Sequence, residues 1–131
     1  MKYRQLGQTN LNVSEVGFGA WTVSTNWWGK IEDADKKALL ENAVEEGINF
    51  FDTAEGDGGG NSCAIRLADG IDDKREKTGE MHSSEMVVGR WLRKTGVRDD
   101  ITLMTKFNTG GTAENVHRAL RDSLERLGTD H

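Results

Sequence analysis

The sequence predicts an α/β fold in which short strands alternate with helices. Three segments have the apolar spacing of amphipathic helices, and a glycine follows each of them: 33–46, 84–95 and 113–127. Short apolar runs alternate with these helices at 16–20, 48–51 and 101–104, and a further strand is expected to begin at Asp130. Such alternation is typical of parallel strands with helices packed outside them. An open doubly wound sheet and a barrel satisfy it equally well.

The helix at 113–127 has the clearest pattern. One apolar stripe runs along it, formed by Val116, Ala119, Leu120, Ser123, Leu124 and Leu127. Thr112 is the predicted N-cap, and Gly128 stands where a helix-ending glycine belongs. The helix at 33–46 is predicted to face the core with Leu39, Leu40, Ala43 and Val44. The helix at 84–95 is predicted to do so with Val88, Trp91 and Leu92.

The spacing of the strands predicts an insertion. Residues 2–6 and 11–13 form a small hairpin in this interpretation, and the later strands start at intervals of 32, 53 and 29 residues. A βα repeat takes roughly 30 residues, so the middle interval carries about 20 more than it needs. We assign the excess to an inserted, solvated loop at 60–82, which contains the charged run 72–77 and a possible helical turn at 64–68.

Composition excludes several classes of function. The net charge of −5 and the pI near 5.2 argue against nucleic acid as a partner. Cys63 is the only cysteine, so the chain can form no internal disulfide, which fits a cytoplasmic setting. The first residues lack the apolar segment of a secretion signal, and no apolar run approaches the roughly 20 residues that span a membrane.

Six short segments, in order along the chain, carry a resemblance to a known family. They are KYRQLG and LNVSEVGFGAW within 2–21, GINFFDTAEG at 47–56, SEMVVGRWL at 84–92, TKF at 105–107 and SLERLGTD at 123–130. Together they resemble the N-terminal part of the aldo-keto reductases. The similarity is greatest to the branch with bacterial oxidoreductases and potassium-channel β subunits. The resemblance implies a partial (β/α)8 TIM barrel: an N-terminal hairpin and about three βα units, with residues 1–131 as a single N-terminal portion.

The resemblance also implies an activity, which is NADP(H)-dependent reduction of small aldehydes or ketones by hydride transfer. Asp52 and Lys106 match the family's catalytic aspartate and lysine at the C-terminal ends of barrel strands. The turn Gly19-Ala20-Trp21, together with Asp52, matches residues that lie near the nicotinamide. If the resemblance to the family is set aside, the default interpretation of Asp52 is a loop-capping carboxylate and that of Lys106 is a surface lysine.

Two departures from the family pattern affect the predicted chemistry. The family's proton-donating tyrosine stands five residues after the aspartate, and Asp57 occupies that position here. The only tyrosine is Tyr3, in the hairpin. The family's histidine falls a few residues past Asp130, beyond the last residue, His131, as do five further βα units and the adenine-phosphate site. We therefore expect this chain alone to be incomplete and inactive.

Asp57 is expected to be a poor substitute for tyrosine. A neighbouring lysine lowers a tyrosine pKa from about 10 towards neutrality, which helps proton donation. The same lysine would lower an aspartate pKa below about 3.9. The sequence thus predicts that Asp57 is ionised and cannot act as a general acid near pH 7.

A second interpretation comes from a different class of protein. A truncated barrel has an exposed strand edge, so the chain could be a non-catalytic module that self-associates as a homo-oligomer or binds a partner protein. A gene fragment is a third. Two other features give weaker indications of function. We interpret residues 56–60 as a flexible loop rather than a phosphate-binding loop. Trp27-Trp28 either pack over the mouth of the barrel or border the substrate pocket. No metal site is expected from Cys63, His82, His117 and His131.

Overall fold

The computed structural model describes residues 1–24, 29–57, 83–107 and 111–131. Its elements follow one another as β1 (Tyr3–Gln5), β2 (Asn12–Ser14), β3 (Phe18–Gly19), α1 (Trp21–Ser24), α2 (Asp33–Glu45), β4 (Phe50–Asp52), α3 (Ser83–Thr95), a 3-10 helix (Val97–Asp100), β5 (Thr102–Met104) and α4 (Ala113–Leu127). No described helix is long and apolar enough to cross a membrane.

The strands form two sheets. The hairpin strands β1 and β2 pair antiparallel, as predicted from the opening residues. Strands β3, β4 and β5 form a parallel sheet in chain order, with Gly19 opposite Asp52 and Asp52 opposite Met104. The predicted parallel α/β class is therefore confirmed. The described strands do not close into a barrel.

Asn49 attaches the hairpin to the parallel sheet. Its side-chain Oδ1 accepts the Ser14 backbone N–H at 2.7 Å, and its Nδ2 donates to the Asn12 carbonyl oxygen at 2.9 Å. Its own carbonyl accepts the Thr102 N–H at 2.6 Å. One amide residue thus satisfies backbone groups of β2 and β5, which fixes the hairpin across one end of the sheet.

The helix α4 has the bounds that the sequence predicts. The Thr112 hydroxyl accepts the Asn115 N–H at 3.3 Å, as an N-cap should. Gly128 takes the left-handed conformation with φ 70°, and its N–H bonds to the Leu124 carbonyl at 2.8 Å. Local sequence is sufficient to predict the bounds of α4 because both capping residues directly flank the helix.

Helices α3 and α4 approach closely at Gly89. A Cβ on this residue would overlap the Arg126 carbonyl oxygen and lie 2.9 Å from the Leu127 Cα. The absent side chain lets the two helices cross backbone to backbone. The core lies between the sheet and the helices α1 to α4, and its largest fully buried members include Phe51, Leu40 and Leu127.

Several sequence predictions need correction. Leu39 and Leu120 were expected to face inward, but they are exposed because each lies at the margin of the buried face rather than at its centre. Strand β3 covers only Phe18–Gly19 of the predicted 16–20, and Asp130 begins no strand. Helix α1 and the 3-10 helix were not predicted. The predictions for Trp27-Trp28 and for the loop at 60–82 fall outside the described residues.

Candidate active site

The carboxyl ends of the three parallel strands place the predicted residues at one edge of the sheet. The Ala20 N–H donates to the Asp52 carbonyl at 2.8 Å, which joins the turn after β3 to the end of β4. Beyond β4, the N–H groups of Thr53 and Glu55 donate to the carbonyls of Met104 and Lys106, at 2.9 and 2.8 Å. The segment after β4 therefore remains bonded to the segment after β5, and the side chains of both converge.

Asp52 and Lys106 form an ion pair at this edge. The ammonium Nζ contacts Asp52 Oδ1 and also donates to the Thr53 carbonyl oxygen at 3.0 Å. The side chains are 41% and 52% exposed, so the pair faces open space rather than the core. The contact with the Thr53 carbonyl orients the lysine side chain. A freely rotating surface lysine would lack such a contact.

The turn from Gly19 to Trp21 borders the same edge. An added Cβ at Gly19 would meet no described residue within 4 Å, so the space beside this backbone is open within the described part of the chain. Ala20 is fully buried, and half-buried Trp21 begins α1.

Asp57 lies in the turn that follows β4, held by the first residues of α3. The buried Ser84 hydroxyl donates to Asp57 Oδ2 at 2.9 Å. The Ser84 Oγ also lies 2.5 Å from the hydroxyl oxygen of Thr53, which is fully buried. Since Ser84 has one proton to give, the Thr53 hydroxyl donates to Ser84 when Ser84 donates to Asp57. The three side chains form a short polar chain leading from the sheet to the turn.

The predicted direction of the Asp57 pKa is wrong. Burial raises the pKa of this carboxyl above its usual value, and the negative charge of Asp52 acts in the same direction. The Ser84 hydrogen bond and the positive charge of Lys106 oppose the rise without cancelling it. The sequence argument overestimated Lys106, whose ammonium bonds Asp52 and the Thr53 carbonyl and reaches Asp57 only through its field. Desolvation, which no local pattern reveals, dominates.

An ion pair between α3 and α4 holds the segment that carries Lys106. Glu85 is fully buried; it accepts the Thr105 hydroxyl at 2.6 Å and the Arg126 Nε–H at 2.6 Å. Arg126 also donates to Ser123 Oγ at 3.2 Å. Because Thr105 directly precedes Lys106, this network fixes the end of the strand that carries the lysine.

Sequence reasoning located the ends of the strands but missed the residues that hold them. Asp52, Lys106, Asp57 and the turn at 19–21 come together as the predicted edge requires. Thr53, Ser84 and Glu85 were not named as site residues, although the last two open the motif at 84–92. A polar pair at the start of a helix that follows a site strand was the available signal. His117 is exposed, and no group of histidine, cysteine, aspartate or glutamate side chains in the described ranges could hold a metal ion.

Comparison with known proteins identifies the family. The family model described as "Aldo/keto reductase family" matches residues 15–131. The chain belongs to the aldo/keto reductase family. The members of this family are oxidoreductases and generally bind NAD(P)H. The resemblance inferred from the motifs is confirmed.

Individual relatives agree with this assignment. The chain is 31% identical to the aldo-keto reductase str7 of Strobilurus tenacellus, over 97% of this chain and 33% of that protein. It is 25% identical to the aldo-keto reductase YhdN of Bacillus subtilis, over 100% and 36%. It is 29% identical to a probable voltage-gated potassium channel subunit beta of Oryza sativa, over 100% and 35%.

Solved structures extend the comparison to the fold. The holo form of the aldo-keto reductase AKR11C1 from Bacillus halodurans matches with a TM-score of 0.65 and 29% identity, over 100% of this chain and 38% of that one. The thermostable aldo-keto reductase Tm1743, in complex with the inhibitor epalrestat, matches with a TM-score of 0.70 and 25% identity, over 100% and 40%. The fold is thus part of a TIM barrel, and the chain spans little more than a third of the length of these relatives.

Proposed function

We propose that this chain supplies the first part of the active site of an NADP(H)-dependent reductase of aldehydes or ketones. The observation that carries the proposal is the Asp52–Lys106 ion pair. It stands where two neighbouring parallel strands end, which is the face on which barrel enzymes hold their chemistry. A purely structural pair of this type would gain little, because exposed ion pairs contribute only about 0–1 kcal/mol.

The residues present fit the nicotinamide end of the cofactor. Open space at Gly19 leaves room for a flat ring against the backbone, and the half-exposed Asp52 and Lys106 lie on the same edge. When bound, the cofactor supplies a hydride to the carbonyl carbon. In this proposal the turn at 19–21 packs beside the nicotinamide, and the ion pair lies at the end of the pocket.

Asp57 distinguishes this site from the family pattern. In the proposed site it stands at the position of the proton-donating tyrosine, held by Ser84. An ionised carboxylate there would repel the alkoxide that forms on the substrate. The raised pKa increases the protonated fraction at any given pH compared with an ordinary aspartate. Proton donation by Asp57 would therefore favour acidic pH, and we propose that it is inefficient at pH 7.

The length of the relatives supports a further part of the proposal. Because the chain spans only 33–36% of the curated relatives, we propose that complete cofactor binding needs the segments that correspond to the rest of their length. The 131 residues alone would then show no carbonyl reduction.

A fusion protein tests this proposal. Residues 1–128 would be joined to the part of YhdN that follows the equivalent position, and NADPH binding would be followed by the change in NADPH fluorescence. We expect saturable binding by the fusion and little or none by the 131-residue chain. Lys106→Met should weaken binding by the fusion, whereas Lys37→Met, in α2 and outside the edge that carries Lys106, should leave it unchanged. A folded fusion that does not bind NADPH would contradict the proposal.

The open edges of the parallel sheet favour a second candidate, a non-catalytic module that associates with itself. Among the described strands, β3 and β5 each have one neighbour, and Met104 and Phe107 are exposed near the β5 end. Unpaired edges and apolar side chains of this type promote association. Light scattering on the 131-residue chain decides this candidate: a stable monomer at high concentration would rule it out.

A further inference from the structure

A groove between helices α2 and α3 lies apart from the candidate active site. It has a volume of about 210 Å³, and none of its lining residues belongs to the edge that carries Asp52, Asp57 and Lys106. Its apolar floor consists of Leu40, Val87 and Trp91. Ligand pockets usually measure about 300–1,000 Å³, so this groove suits a body of one or two rings.

The rim of the groove has an excess of positive charge. Four cationic side chains line it, namely Lys36, Lys37, Arg90 and Lys94. Two are neutralised, because Lys36 pairs with Asp33 at 3.0 Å and Lys37 with Glu41 at 2.6 Å. Arg90 and Lys94 form no ion pair within the described part of the chain. Asp33 also lines the groove and lies within range of the Arg90 charge, but one carboxylate against four cations leaves the described lining positive.

The floor contains an unmet hydrogen-bond donor. Trp91 is only 4% exposed, and its indole Nε1–H has no acceptor. It is the one buried side-chain nitrogen or oxygen in this condition among the residues that the structure describes. A buried donor left without a partner costs roughly 1–3 kcal/mol, so native proteins usually satisfy it.

We propose that this groove binds a small aromatic carboxylate. The ring would lie on Leu40, Val87 and Trp91, and the carboxylate would be held between Arg90 and Lys94. Guanidinium groups bind carboxylates through two parallel hydrogen bonds, and Lys94 adds a second positive charge. Charge and shape thus select the same class of ligand: anionic at one end and flat and apolar at the other.

The Trp91 indole N–H provides a direct readout. Its NMR resonance in the 131-residue chain, identified by its loss in Trp91→Phe, would be followed during titration with 1-naphthoate. We expect a saturable shift of this resonance. The uncharged methyl 1-naphthoate and inorganic phosphate should each bind much more weakly, because the first lacks the charge and the second lacks the ring.

Paired variants separate this groove from general attraction to positive charge. Arg90→Gln with Lys94→Gln should weaken 1-naphthoate binding about tenfold or more, since two charge-assisted contacts are lost. Lys2→Gln with Arg121→Gln removes the same charge from exposed sites elsewhere and should leave the affinity unchanged. Equal affinity in the two double variants, equal binding of the neutral ester or of phosphate, or no shift of the Trp91 resonance would each overturn the proposal.

Discussion

At the scale of single residues, Asp57 shows how burial can reverse an argument based on neighbouring charge. Lys106 lowers the pKa of Asp57, as expected, but desolvation raises it by more. The raised pKa means that protons bind the folded chain more tightly than the unfolded chain. The carboxyl therefore favours folding below its ordinary pKa of 3.8, and this contribution is lost as the pH rises through the folded-state pKa.

Replacing Asp57 by asparagine tests this balance. Asparagine cannot ionise, and its amide oxygen can still accept the Ser84 hydroxyl. We expect Asp57→Asn to be more stable than the parent chain at pH 7, and we expect the gain to disappear as the pH falls towards 3.8. Urea unfolding at a series of pH values measures this. Asp100→Asn, at an exposed position, serves as the control, and its stability should depend on pH as that of the parent chain does. A stability gain for Asp57→Asn that does not change with pH would contradict the raised pKa of Asp57.

The buried Glu85–Arg126 pair makes a second prediction at this scale. Arg126→Met leaves the Glu85 carboxylate buried, with the Thr105 hydroxyl as its one remaining partner among the described residues. Breaking a buried pair in this way costs about 3–5 kcal/mol. We expect a loss of about that size in urea unfolding, and a partial recovery when Glu85→Leu is added. A loss below about 1 kcal/mol would mean that the pair is screened by solvent.

At the scale of elements, the contact between α3 and α4 sets the geometry of the site. Ser84, at the start of α3, holds Asp57, and the Glu85–Arg126 pair joins α3 to α4. The second contact requires the two helices to lie as close as Gly89 allows. A displacement of α3 would therefore move Asp57 and loosen Thr105 together.

Gly89→Ala tests the close approach. In an isolated helix, this change would be stabilising by about 1 kcal/mol, because alanine is the better helix former. Here the added methyl group would meet the backbone of Arg126 and Leu127, which cannot rotate away. We expect a net loss of about 1–3 kcal/mol from overpacking. Gly111→Ala, where no described residue lies within 4 Å, is the control and should change stability little.

At the scale of the whole molecule, the chain corresponds to little more than a third of its relatives. The parallel sheet has three described strands, and the candidate site occupies their common edge. In our proposal, the Asp52–Lys106 pair needs two further groups to work: a proton donor at position 57 and the remainder of the barrel.

Asp57→Tyr in the YhdN fusion tests the first requirement. A tyrosine there would place a neutral hydroxyl near Lys106, whose charge lowers the tyrosine pKa towards neutrality. We expect carbonyl reduction at pH 7 to rise by orders of magnitude, measured as NADPH consumption with an aldehyde substrate. Asp57→Phe, which lacks the hydroxyl, should remain inactive. An unchanged rate in Asp57→Tyr would mean that position 57 does not donate the proton.

Much of this protein is determined by its local sequence. The alternation of strands and helices, the bounds of α4 and the position of Asp52 and Lys106 at strand ends follow from periodicity, caps and chain order. These are properties of neighbouring residues, so no tertiary contact is needed to predict them.

Only the tertiary structure decided the rest. Burial of Asp57 against Ser84, the overlap that requires glycine at 89, and the Glu85–Arg126 pair each join residues at least 27 positions apart. Whether Leu39 and Leu120 face the core also depended on which part of each helix meets its neighbour. Desolvation and packing arise only when distant segments meet, and for that reason periodicity cannot reveal them.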